Sequence, residues 1–392
     1  MIWKISKSKL IYILLFIAFL YFRIIEINRP LWADELITVR TTFINPIANP
    51  LYNTVSTNLP LFYYSVKLFE ILTFGLINLR YLNIILSAFT IIFIFKKYEN
   101  LSKLVKILLI VFLIISPLQI YYSIELRAYT LAQLLLIINF YYFQKKDFNK
   151  WFWISSYLLC LTHYACYVYL LSVAIFYFLQ NKGNWNQVYK FITLGVFGSL
   201  ITYLVSRNVG FSDSTGLSII NNNFSRFNFS NILENVLKIR ETVAVYYNFG
   251  LHYYRVENDF LSIIKKLTQI LIGIYVIITI INYKKHKQEL QNMLFLGSLF
   301  FFSIILDLAG IMTFGGRYVF PFHFLYLLIL AYFLEIVYKT NKYLCYGLAV
   351  IFITAFLTYN YCLSINLDIF RGSNDPQGSL YQKCVEKISK NK

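Results

Sequence analysis

Two carboxylates stand side by side in "RPLWADELITVR", Arg29 to Arg40, within a chain of 392 residues that is 58% hydrophobic and only 14% charged. On a helix, Asp34 and Glu35 would point about 100° apart and could not share a ligand equally. One is expected to face a site, while the other caps a helix or pairs with Arg29 or Arg40. A third acid lies in "SPLQIYYSIELRAYTL" (116–131), where Glu125 and Arg127 sit two apart between tyrosines. The i, i+3, i+4 spacing places Tyr122, Glu125 and Tyr129 on one helical face, and Pro117 marks a helix break. His163 in "LTHYACY" and Arg317 in "FGGRYVFPF" complete the set. The two glycines before Arg317 would let the backbone approach a ligand closely. These are the parts of a site in which a carboxylate works beside guanidinium forks, which grip phosphate bidentately as lysine cannot. Each also has a plainer explanation: solvated juxtamembrane charges at 34–35, a surface pair worth little at 125 and 127, and a hydrogen-bonded histidine at 163.

The elements that must carry these residues are apolar. Mean hydropathy is +0.60, and runs such as "LIYILLFIAFLYF" and "LTQILIGIYVIITIIN" recur along the chain. They do not alternate as barrel strands do, so the expected class is an all-α polytopic membrane protein. Expected spans lie near 10–27, 79–95, 104–118, 130–143, 190–206, 267–283, 291–308, 318–338 and 343–360. Residues 151–180, taken as a hairpin turning near "THYA", bring the total to about eleven by the usual length rule. No small-residue cleavage site follows the first apolar run, which reads as a retained helix. The five cysteines show no C-x-x-C spacing and say little about metal or redox chemistry.

The formal charge of +18 raises the question of nucleic acid, and its placement answers it. With the N-terminus inside, the inner segments ("KKYENLSKLVK", "KKDFNK", "NKGNWNQVYK", "KKHK", "KTNK") are all lysine-rich, as the positive-inside bias requires. The arginines all fall at or beyond outer helix ends. Codon preference could account for lysine inside; phosphate binding would account for arginine outside. The charge therefore reads as membrane anchoring, with no nucleic-acid partner. The expected transmembrane domain is 1–360, with outer loops at 28–78 and 207–260, each with a juxtamembrane helix, and a short extracytoplasmic tail at 361–392. "LPLFYYSVKLFEIL" is expected as an interfacial helix on the outer leaflet, with Phe62, Tyr63 and Tyr64 at headgroup level. No internal repeat, glycine-rich nucleotide loop or soluble domain is visible.

Taken in order, "LWADELITV", "NLPLFYY", "LRYLNIILSAFTIIFIFKK", "SPLQIYYSIELRAYTL", "LTHYACYVYL" and "GGRYVFPF" resemble the polytopic glycosyltransferases of the GT-C superfamily. The similarity is greatest to family 39, the protein mannosyltransferase-like group, in its bacterial form. The likeness spans nearly the whole membrane region, strongest over 28–170 and 310–330, and "YYSIELRAY" is its most specific segment. It implies a GT-C fold in the bacterial cytoplasmic membrane and a site on the extracytoplasmic face. The donor would be a polyprenyl-phosphate-linked sugar, the acceptor a glycan, lipid or protein, and the other contacts membrane lipids. The catalytic acids would be Asp34 and Glu35, with Asp34 as base. The helix after the third span would carry the matching Glu125 and Arg127. Arg127 and Arg317 would hold the donor phosphate, and Tyr122, Tyr129, Glu125, His163 and Asn58 would orient or bind substrate. A divalent cation, as in some members, would draw on Asp34, Glu125 and His163. Relatives commonly have His-Pro-Pro or Lys-Pro-Pro where this chain has Asn58-Leu59-Pro60, so a basic group is replaced there by Asn58. A phosphate leaves readily as an anion, so one carboxylate base with cations on the phosphate suffices for a single inverting displacement, whereas an unactivated glycoside needs two acids. A flippase or transporter of lipid-linked sugars, or a polysaccharide polymerase, are the alternatives. The first would want charges along a path, for which Asp307 and Glu335 are candidates; the second would depend on loop 207–260.

Overall fold

The computed structural model describes residues 7–25, 27–28, 31, 35, 38–44, 59–75, 77–98, 101–180, 187–208 and 320–365, with isolated positions between 263 and 299. Among these, every regular element is helical. The helices are α1 (Lys7–Ile24), α2 (Leu61–Leu72), α3 (Tyr81–Lys97), α4 (Lys103–Ile115), α5 (Pro117–Ser123), α6 (Tyr129–Gln144), α7 (Lys150–Cys160), α8 (Ala165–Gln180), α9 (Val188–Asn208), α10 (His323–Thr340) and α11 (Lys342–Ile365). A π-helical turn covers Arg40–Ile44 and a 3-10 turn Phe320–Phe322. The all-α class stands. By length and composition, His323–Thr340 is the described helix able to cross a membrane alone; α4 and α5 pass the same test together, bent by 57°. The expected count near eleven is not reached on that measure among the described residues. The second outer loop and the tail beyond 365 lie outside them, and the expected spans at 267–283 and 291–308 are described at isolated positions only.

Two helices form the centre. α6 packs against α7 and α3, and α10 against α4 and α11. The hairpin expected near "THYA" is present, with α7 and α8 joined through residues 161–164. Asn149 starts α7 by accepting hydrogen bonds from the Trp151 and Phe152 amides, the usual role of asparagine at an N-cap. Asn139, buried in α6, fastens both arms of the hairpin. Its Nδ2 donates to the Phe152 carbonyl and to the Ser155 and Ser156 hydroxyls, and its Oδ1 accepts from Tyr169.

The break at Pro117 aims the chain toward the candidate site. Proline has no N–H for the Leu113 carbonyl, its ring clashes there, and it holds the preceding residue extended. Ser116 accordingly sits at φ −60°, ψ 126°. The carbonyls that end α4 are taken up by other helices: Arg23 of α1 donates to Leu113 and Ile114, and Asn360 of α11 to Ile115. Ser116 Oγ meets His323 Nε2 of α10 at 2.8 Å. A guanidinium at a helix C-terminus also suits the helix dipole.

Sidedness follows from these contacts. Glu335, near the end of α10, accepts from the Ser102 amide at the start of α4, and Tyr98 and Tyr141 bring the ends of α3 and α6 together. The terminal lysines of these elements (Lys96, Lys97, Lys103, Lys145, Lys146, Lys339, Lys342) therefore gather at one end. Arg23, Arg80 and Arg127 lie at the other, with the break at Ser116.

One expectation is corrected in α2. Phe62 and Tyr63 are buried, and the exposed apolar face is Tyr64, Leu68, Ile71 and Leu72. The Leu61 amide bonds the Leu161 carbonyl, which turns the 62–63–66 face toward the α7–α8 hairpin and the bundle.

Because Asn139 joins three helices with four hydrogen bonds, Asn139→Leu keeps the volume but takes the acceptor from the Tyr169 hydroxyl and the shared donor from the Ser155 and Ser156 hydroxyls and the Phe152 carbonyl. The expected loss is about 2–4 kcal/mol of stability, read from reversible unfolding in detergent. A change below about 0.5 kcal/mol, the range of neutral surface substitutions, would remove Asn139 as the fastener.

Candidate functional site

α5 ends at Ser123, with Ile124 at φ −112°, ψ 2°, and the chain does not resume a helix until Tyr129. Glu125 and Arg127 therefore lie in the turn that follows the short helix, not on the helix itself. Tyr122, Glu125 and Tyr129 do not share a helical face. The Arg127 amide donates to the Glu125 carbonyl at 2.7 Å, closing a γ-turn around Leu126. Thr130 Oγ1 donates to the Tyr122 carbonyl, folding the start of α6 back on α5. The rings of Tyr122 and Tyr129 consequently meet edge to face at 5.1 Å, although the helix between them is broken.

Glu35 holds this turn from the side of the first loop. It is fully buried, and Arg80 grips it with a fork: Nε to Oε1 at 2.8 Å and Nη2 to Oε2 at 2.6 Å. Oε1 also accepts the Leu126 amide at 2.9 Å. Arg80 is anchored in turn by donating Nη1 to the Ile27 carbonyl, to which Asn78 also donates. The sequence suggested Arg29 or Arg40 as partner of this acidic pair; the clamp is Arg80, which had not been singled out. With both oxygens so engaged, the Glu35 carboxylate acts as a strut between the first loop and the turn. Two charges taken out of water need such geometry, with further hydrogen bonds, to offset their desolvation.

The rest of the described site is buried as well. Glu125 and Arg127 are not a surface pair: they are 1% and 8% exposed. The Arg127 guanidinium lies 5.8 Å from the Tyr129 ring centre, and Tyr129 lies 5.2 Å from the His163 ring. His163 Nδ1 accepts the Ala165 amide, which fixes the ring at the start of α8. In the same turn, burial together with nearby Tyr63 pushes the Tyr164 hydroxyl up to about 12, so it stays protonated at neutral pH and is no base.

The structure thus brings Glu35, Tyr122, Glu125, Arg127, Tyr129 and His163 into one continuous set of contacts. Asp34, Asn58 and Arg317 lie outside the described residues. Among the described residues no three His, Cys, Asp or Glu side chains converge as a metal site would require. Cys160, Cys166 and Cys345 are buried and free. Arg80 and Asn83 are the residues that sequence reasoning passed over. A polar Asn83 in the apolar run "YLNIILSAF" was the available signal. No family model, curated protein or solved structure matches this chain.

Removing one member of a buried ion pair strands the other. Arg80→Ala or Glu35→Ala is expected to cost about 3–5 kcal/mol, and a double replacement by Met should cost less than either. Thermal and denaturant unfolding of the three variants checks this; additive losses would show that the two groups do not act as a pair.

Proposed function

We propose that the protein is a polytopic membrane glycosyltransferase that moves a sugar from a polyprenyl-phosphate donor to an acceptor hydroxyl. The reading places it in the bacterial cytoplasmic membrane, with a GT-C fold and its site on the extracytoplasmic face. What carries it is the contact between the first-loop acidic motif and the "IELRAY" turn: Glu35, next to Asp34, holds the Leu126 amide between Glu125 and Arg127. That is the juxtaposition a carboxylate base and a phosphate-binding guanidinium require. Further support comes from the gathering of Arg23, Arg80 and Arg127 at the end opposite the terminal lysines, which fits lysine inside and phosphate recognition outside.

On this reading Asp34 takes the proton of the acceptor hydroxyl. The oxygen attacks the anomeric carbon, the bond from that carbon to the phosphate oxygen breaks, and polyprenyl phosphate departs with the electron pair. Configuration inverts in this single displacement. Arg127, with Arg317, binds the phosphate and stabilises the charge that develops on it, an electrostatic contribution strengthened by exclusion of water. Tyr122, Tyr129 and His163 form an aromatic ladder of edge-to-face and tilted rings suited to meet a sugar ring, and Glu125 orients the turn's polar groups. Asn58 stands where relatives carry a basic group. A divalent cation would be held by Asp34, Glu125 and His163. Glu335, one of the two charges a transport path would call upon, is engaged at the lysine end with the Ser102 amide and Lys339, which favours the transferase over a flippase.

The test is purified protein incubated with a panel of polyprenyl-phosphate sugars, scored for release of polyprenyl phosphate. Asp34→Asn is expected to lower kcat on the order of 10²–10⁴-fold, the usual contribution of a general base, with donor binding intact. Arg127→Lys keeps the charge but loses the fork, and donor affinity should fall roughly 10- to 100-fold, the worth of a hydrogen bond to a charged group. Full transfer by Asp34→Asn, or unchanged donor affinity in Arg127→Lys, would remove that residue from its assigned role.

A further inference from the structure

Asn83 stands on the first turn of α3, fully buried, three residues beyond Arg80. Its Nδ2 donates to the carbonyls of Glu125 and Arg127, the latter at 3.2 Å. Carbonyl oxygens only accept, so the amide has to present its NH₂ side to the turn and its Oδ1 away from it. Oδ1 is buried and meets no donor among the described residues. Packing of α3 alone does not call for such a group, since an apolar residue would fill the space without stranding an acceptor. The two carbonyls it bonds belong to the residues whose side chains matter most in the turn, and the Glu125 carbonyl accepts from Asn83 together with the Arg127 amide that closes the turn.

We propose that Asn83 is a positioning residue for donor binding. By tying down the carbonyls on either side of Leu126, it sets the peptide planes from which Glu125 and Arg127 project, and so sets the grip of Arg127 on the donor phosphate. The proposal rests on the reading of Arg127 as the phosphate ligand. Two clamps meet at this turn and they differ in consequence. Arg80 acts through Glu35, the neighbour of Asp34, so disturbing it moves the base as well as the phosphate group. Among the described residues, the side-chain hydrogen bonds of Asn83 run only to the turn. Loosening it should weaken donor binding and leave proton abstraction at Asp34 as it was.

Asn83→Leu has nearly the same shape and no donors, Asn83→Ala leaves a void, and Asn83→Ser keeps one short donor. Asn83→Leu and Asn83→Ala are both expected to raise the donor KM roughly tenfold, for two hydrogen bonds lost. At saturating donor, kcat should stay within about threefold of the parent, because the transition-state interactions with Asp34 are untouched. Asn83→Ser should fall between and replaces Asn83→Leu if that variant unfolds. A packing role gives another pattern, with Leu near the parent and only Ala impaired, and that result overturns the proposal. Amide hydrogen exchange reads the same point without substrate: the Leu126 and Arg127 amides should exchange faster in Asn83→Leu while α6 keeps its protection. Unchanged exchange at the turn also overturns it. Should the parent protein release no polyprenyl phosphate from any donor, the glycosyltransferase reading and the donor-binding role fail together, and the exchange experiment still decides whether Asn83 holds the turn.

Discussion

Backbone groups set free where a helix stops, in an interior with little water, are the constraint on which this architecture rests. Such groups are costly unless a partner is found. The chain leaves the helix twice in quick succession, at Ser116 and again at 124–128, and at both places side chains from elsewhere in the sequence meet freed groups. Arg23 and Asn360 take the carbonyls that end α4. Glu35 takes the Leu126 amide, and Asn83 the carbonyls of Glu125 and Arg127. The candidate site is therefore an interruption that five elements repair together: the first loop, α1, α3, α10 through His323, and α11.

The acidic pair illustrates how adjacency divides labour. Glu35 is committed to Arg80 and to the turn, and on the glycosyltransferase reading its neighbour Asp34 is the base. A buried bidentate pair of this kind is weak support for stability as such, because apolar side chains of equal volume often serve better. What it supplies is register. It fixes the first loop against the 124–128 turn, 91 residues further along the chain, and it does so with a planar fork that tolerates little angular error.

The aromatic ladder from Tyr121 through Tyr122 and Tyr129 to His163 is a second consequence of the break. The Tyr121 and Tyr122 rings meet at 5.0 Å, and Tyr129 bridges from Tyr122 to His163. An unbroken helix through 116–131 would have carried the two tyrosines past one another. Folded back, they join α5 and the start of α6 to the α7–α8 hairpin, linking "SPLQIYYSIELRAYTL" to "LTHYACYVYL". On the glycosyltransferase reading, this places flat, partly polar surfaces next to the guanidinium, where the sugar of a lipid-linked donor would lie.

Much of this was legible in the sequence. The helices at 7–24, 81–97, 103–115, 129–144, 323–340 and 342–365 lie close to apolar runs visible to the eye, because hydrophobic runs of helical length report burial whatever their neighbours are. The break at Pro117 was readable for a local reason, the missing N–H, and the hairpin at 161–164 from the placement of lysines. The end of α5 at Ser123 was not readable, since "YYSIELRAYTL" has good helical spacing and no proline or glycine. It is Glu35 and Asn83, from distant segments, that stabilise the turn against continuing as a helix. The clamp on Glu35 was hidden for the same reason: Arg29 and Arg40 lie near it in sequence, yet the described fork comes from Arg80, 45 residues away. Composition and periodicity by themselves determined the class, the elements and the residue types able to do chemistry. Only tertiary structure decided which acid is a strut, which arginine clamps it and which asparagine holds the turn, because those are contacts between segments whose separation carries no local signal.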